Sequence, residues 1–118
     1  MTMQKIFHFD SSPAPYVADA AVLCCFDHRM QLVTRKFLKR NGVAQPDWIV
    51  VAGGAKTLAS PRNDFEQEFI LEQIRMSIKL HRTQLVILTC HSGLFPNSTL
   101  TNLTGQDENS SIIFYKVK

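Results

Sequence analysis

Ala20-Ala21-Val22-Leu23-Cys24-Cys25-Phe26 runs without a polar residue and breaks at once into Asp27-His28-Arg29. Seven apolar residues ended by charge are too few for an amphipathic helix and show no alternation, so the run reads as a strand buried on both faces. Such strands occur in parallel sheets covered by helices, and the segments on either side fit that frame. Residues 30–40 place Met30, Val33 and Phe37 on one helical stripe, with Asn41-Gly42 as the stop. Residues 48–52 form a second apolar strand that opens into Gly53-Gly54. A long helix follows, entered at Ser60-Pro61 or capped by Asn63 with Glu66 three residues on, and ending near His81-Arg82. Its inward stripe is read as Leu71, Ile74 and Ile78, widened by Phe65, Phe69 and Ile70. Residues 85–90 make a third apolar strand, 112–117 a closing edge strand, and 5–9 a further short strand. Strand, helix, strand, helix, strand predicts a small three-layer α/β domain spanning 1–118, with a mainly parallel sheet and right-handed crossovers.

Composition bounds the function classes. With 45% apolar residues the chain can bury a core, and its net charge of +3 comes without a long basic stripe interleaved with aromatics, which argues against nucleic acid. No stretch reaches transmembrane length, and residues 1–10 lack the apolar segment of a signal peptide, so no membrane partner and a cytoplasmic location are expected. The cysteines are Cys24, Cys25 and Cys90, an odd number with two adjacent, which is not a disulfide framework and agrees with a reducing compartment. The three Asn-x-Ser/Thr sequons fall in the polar stretch 92–111 and read as loop.

Chemistry-bearing residues gather where the three buried strands end. Cys25 and Asp27 lie two apart and would share a side if the chain stays extended, with Arg29 placed to hold the Asp27 carboxylate through a bidentate pair. His91 ends the third strand and would stand beside Cys25 if the first and third strands are neighbours. Thiolate, imidazole and carboxylate are all zinc ligands, and three protein ligands plus a water make a catalytic zinc. With only Cys25 and His91 available, the chain would hold zinc weakly. Gly53-Gly54-Ala55-Lys56 has the look of a phosphate cradle, but the spacing is not that of a P-loop, and a tight turn at positive φ is the plainer reading. Cys24, Cys90, Phe65 and Phe69 read as core, and Arg35, Lys36, Lys39 and Arg40 as a solvated helix end. Cys-x5-Arg phosphatase loops, Cys-x-x-Cys redox pairs and Gly-x-Ser-x-Gly elbows are absent.

Cys-x-Asp-x-Arg after strand one, Ala52-Gly53 after strand two and His91-Ser92 after strand three resemble the β-class carbonic anhydrases, in particular a short, divergent branch, over about 20–94. The resemblance implies their topology, zinc on Cys25 and His91, an Asp27–Arg29 dyad that gates the metal, a pocket lined by Gly53 and Gly54, carbon dioxide and bicarbonate as substrates, and a homodimer. It departs from the family at Leu94, where a second cysteine ligand belongs, and at Val50-Val51, where Arg-Asn belongs. Two functions therefore follow as expectations: a zinc-dependent hydro-lyase with Asp27 as a permanent third ligand, or a metal-free, non-catalytic descendant that binds an anion or a protein partner.

Overall fold

A computed structural model describes residues 2–91 and the backbone of residues 112–117. The elements run β1 (Ala20–Cys25), α1 (His28–Arg40), β2 (Pro46–Val51), α2 (Lys56–Ala59), α3 (Asp64–His81), β3 (Val86–His91) and β4 (Ile112–Val117). The sheet order is β2-β1-β3-β4, parallel across β2, β1 and β3 and antiparallel between β3 and β4. The expected α/β architecture with a mainly parallel sheet is the one observed.

β1 is central, and every one of its residues is buried. Alternation divides it between two layers. Ala20, Val22 and Cys24 face α1 and pack with Leu38, Val43 and Ile87. Ala21 and Leu23 face α3 and pack with Ile49 and Ile70. A strand that must be apolar on both faces is what the unbroken run at 20–26 encodes.

The helices follow local signals. Asp27 caps α1 by accepting the Arg29 N–H, and Asn63 caps α3 by accepting the Glu66 N–H at 2.8 Å. Glu66 reaches back past the cap to the Arg62 N–H at 2.8 Å, a capping box displaced by one residue. α1 ends at Asn41 with Gly42 at φ 79°, and α3 at Arg82, itself left-handed at φ 54°.

Several expected details shift. The inward face of α1 is Thr34 and Leu38, while Val33 is exposed; Thr34 can be buried because its hydroxyl donates to the Met30 carbonyl at 2.8 Å. Residues 5–9 form no strand, since their apolar side chains stand in solvent and no neighbouring strand takes up their backbone. Phe65 and Phe69 are not core. They lie on an exposed flank of α3, whose buried residues are Ile70 and Ser77. The loop at 92–109, including Leu94, lies outside the described residues. Among the described residues no helix is long and apolar enough to cross a membrane.

At the end of the sheet away from the strand C-termini, one carboxylate ties three segments together. Asp47 of β2 accepts the Tyr16 hydroxyl at 2.6 Å, the Ser77 hydroxyl at 2.6 Å and a contact from His81 Nδ1 at 2.7 Å, and the Tyr16 ring stacks on His81. Burial works against ionising Asp47, but the Ser77, Tyr16 and His81 hydrogen bonds outweigh it and lower its pKa. The hydrogen bond to Asp47 raises that of Tyr16. A carboxyl with a lowered folded pKa contributes stability above its unfolded value and loses it as pH falls; a phenol with a raised one contributes below its unfolded value and loses it as pH rises. In urea titrations the advantage of wild type over Asp47→Asn should therefore hold between about pH 4 and pH 10 and shrink outside that window. A pH-independent difference would mean that the corner does not titrate as described.

Candidate functional site at the carboxyl rim of the sheet

β1 is flanked by β2 on one side and β3 on the other, and the chain crosses to opposite sides of it through α1 and α3. That reversal creates a switch point between β1 and β3, where α/β sheets place their ligands. Because β1, β2 and β3 are parallel, Cys25, the Gly53-Gly54 turn and His91 all come out at this one rim, and Asp27 and Arg29 follow Cys25 directly.

Asp27 is held by several hydrogen bonds. Its Oδ1 accepts the Arg29 backbone N–H at 2.9 Å and Arg29 Nε at 3.1 Å, while Oδ2 accepts Arg29 Nη2 at 2.7 Å. The bidentate pair expected from the spacing is formed. The Arg29 guanidinium and backbone N–H hold the Asp27 carboxyl well below the usual carboxylate range, with a smaller contribution in the same direction from His91. The same residue reaches the cysteine, for the Asp27 backbone N–H donates to Cys25 Sγ at 3.4 Å. Gln31, one turn into α1, donates its Nε2–H to the Cys25 carbonyl at 2.9 Å. The start of α1 is thus fastened to the end of β1 by Cys25, Asp27 and Gln31 together.

His91 is buried, with its Nε2 enclosed by protein. β1 and β3 are neighbours, paired Ala21 to Val86 through Leu23 to Leu88. Extending that register sets Cys25 level with Cys90 and Phe26 level with His91, so Cys25 and His91 stand one rung apart on strands separated by about 4.8 Å. By alternation His91 approaches the rim from the α1 side and Cys25 from the α3 side. The influence of His91 on Asp27, the cap of α1, agrees with that placement.

The glycine turn is a structural plug. Gly53 and Gly54 have φ of 89° and 52°. The turn leaves β2, crosses the end of β1 and reaches β3, where Ala55 N–H donates to the Thr89 carbonyl at 3.2 Å. The N–H groups of Gly54, Lys56 and Thr57 are likewise spent, on Val51, Gly53 and Gly54 carbonyls. A phosphate cradle needs such groups free, so the tight-turn reading stands. Gly53 lines a cavity of about 280 Å³ with Lys56, Thr57 and Arg62, whereas Gly54 is buried against the backbone of Cys24, Cys25 and Thr89.

Burial pushes the Cys24 thiol up to about 11, reinforced by Cys25 and opposed by Arg35 and Gln31, and burial also raises Cys90. Both stay neutral thiols at neutral pH, in keeping with core roles. His28 opens α1 with its side chain exposed. Gln31 and Thr89, whose hydroxyl donates to the Leu23 carbonyl at 3.2 Å, are rim residues without a sequence signal, since each acts on a backbone group brought to it only by the fold.

Across residues 18–111 the chain matches the family model described as "Putative carbonic anhydrase". The chain belongs to this carbonic anhydrase-like family. No curated protein and no solved structure matches it. For a carbonic anhydrase-like chain the question at the rim is zinc. Thiolate, imidazole and carboxylate suit that metal in kind. Among the described residues, however, no three His, Cys, Asp or Glu side chains are grouped to hold an ion, with Asp27 engaged on Arg29.

Proposed function

We propose that this carbonic anhydrase-like protein binds zinc at the rim and reversibly hydrates carbon dioxide, with Cys25 and His91 as ligands and Asp27 as the third when it leaves Arg29. The observation that carries this reading is the Asp27–Arg29 pair, bidentate and hydrogen-bonded through its own backbone to the Cys25 sulfur. Zinc, when bound, supplies the Lewis acidity that brings the ionisation of a coordinated water down to about pH 7. The remaining work belongs to the chain. Arg29 keeps Asp27 ionised throughout the neutral range, so its carboxylate only accepts hydrogen bonds and selects a donor, such as the proton of a water, at the site. Gln31 and the Gly54 turn hold the Cys25 backbone from two sides, which fixes where its side chain starts.

A second reading has its own support. Asp27 also caps α1, so moving its carboxylate onto a metal strips the helix of its cap as well as Arg29 of its partner. Leu94 offers no donor in place of the family's second cysteine. A metal-free descendant keeps the pair as a fixed anion or partner site.

Metal content after reconstitution with zinc at about pH 8, where thiolate ligands bind well, separates the two. The zinc reading expects about one ion per chain, lost in Cys25→Ser and in His91→Ala, and hydration activity lost with it. Zinc-free protein after reconstitution discards that reading in favour of the second.

A further inference from the structure

α3 carries two apolar faces. Ile70 and Ser77 pack inward with Ile74 against the sheet. On a flank about 115° round the helix from that face, Phe65, Phe69, Met76 and Leu80 are 79%, 52%, 37% and 57% exposed. At about 100° per residue these four fall within an arc of about 60°, a continuous stripe about 22 Å long. Phe65 and Phe69 already stack on each other, with ring centroids 6.5 Å apart. A helix with such a stripe beside its sheet-facing side carries more apolar surface than the sheet covers.

The spacing names the occupant. The four positions are symmetric about the point between Glu72 and Gln73, so an antiparallel copy of α3 sets Phe65 against Leu80 and Phe69 against Met76. Charge is arranged for the same partner. Beside the stripe run Glu68 and Glu72 in the N-terminal half and Arg75 and Lys79 in the C-terminal half. Two antiparallel copies bring these edges together, acidic half on basic half, whereas in a parallel pair the two charged edges fall on opposite sides of the seam and gain no such pairing. Arg75 already draws Glu68 and Glu72 together within its own helix, which lines these charges up along the edge of the stripe.

We infer that α3 is the dimer interface of this protein, packing about a twofold axis near Glu72 against α3 of a second copy. The N-terminal arm is not the cover, because its own Ile6, Phe7 and Phe9 stand in solvent.

Analytical ultracentrifugation tests this on the full chain. Wild type should sediment as a dimer at micromolar concentration, and Phe69→Glu combined with Met76→Glu should weaken association at least about a hundredfold while leaving the circular dichroism unchanged. An arm variant, Phe7→Asp with Phe9→Asp, should remain dimeric. Should the double glutamate variant lose its fold, Phe65→Lys with Leu80→Lys, at the exposed ends of the stripe, gives the same readout. Orientation is read separately by mixing Phe65→Cys protein with Leu80→Cys protein under mild oxidation, where the mixed disulfide is expected. A monomeric wild type, a dimer that survives the stripe variants, or loss of the dimer in the arm variant overturns the interface. Self-disulfides in place of the mixed one overturn the antiparallel arrangement.

Discussion

Gly54→Ala destabilises the protein by about 2–5 kcal/mol, a loss assembled from two sources. At φ 52° a side chain costs about 1–2 kcal/mol through the clash of its Cβ with the backbone. That Cβ would also stand 2.9 Å from Cys25 N, 3.0 Å from the Thr89 carbonyl oxygen and 3.1 Å from the Cys24 carbonyl carbon. All three are backbone atoms of buried strand residues, so none can rotate out of the way, and such overpacking adds about 1–3 kcal/mol. Gly42→Ala is the control, because its position is also left-handed at φ 79° but has nothing within 4 Å of the added carbon. Urea denaturation should find the Gly54 variant distinctly less stable than the Gly42 variant. Equal losses would show that the turn does not seat on β1 and β3. The rim feels the same change, since the contacts that Gly54 makes are with the backbone that carries Cys25.

Leu23→Ala removes about 3–5 kcal/mol. Leu23 is fully buried on the α3 side of β1, between Ala21, Ile49 and Ile70. β1 is hydrogen-bonded on both edges, so the strand cannot sink to close the space left by the missing carbons. Domains of this size hold about 5–15 kcal/mol in total, so the substitution removes a large share of the stability. Chemical denaturation measures it directly. A loss under about 1 kcal/mol would show that α3 does not pack on the sheet at this point.

Where local chemistry dictates structure, sequence and fold agree. The unbroken run at 20–26 could only be satisfied with cover on both faces, and α1 and α3 supply it. Asn63 with Glu66, Asn41-Gly42 and Gly53-Gly54 act through neighbouring backbone groups, so their roles as cap, stop and turn are visible in a few residues. The Asp27–Arg29 pair is of the same kind, two side chains held two residues apart on one turn of chain.

The misreadings share a cause. On α3 the apolar residues encircle much of the helix, and periodicity alone does not say which side meets the sheet. Phe65 and Phe69 looked like core because they are large and apolar, yet α3 turns Ile70 and Ser77 inward. Ser77 is favoured there by its hydrogen bonds with Asp47, a group on β2 far back in the chain, and with Thr83 just beyond the helix end. Residues 5–9 have a strand's composition but no strand beside them, and a strand without a partner gains nothing from being extended.

At the rim the division is sharpest. Sequence by itself determined the chemical inventory: a cysteine, an aspartate–arginine pair, a glycine turn and a histidine, each at the end of a buried strand, together with the family to which that spacing belongs. Only the tertiary structure decided that β1 lies between β2 and β3, that His91 and Cys25 come to the rim from opposite faces one rung apart, and that the glycine turn is spent in closing the gap between strands. The physical reason is range. Caps, turns and short ion pairs are fixed by interactions within a few residues, whereas strand order and register are fixed by which apolar faces bury each other across the whole chain.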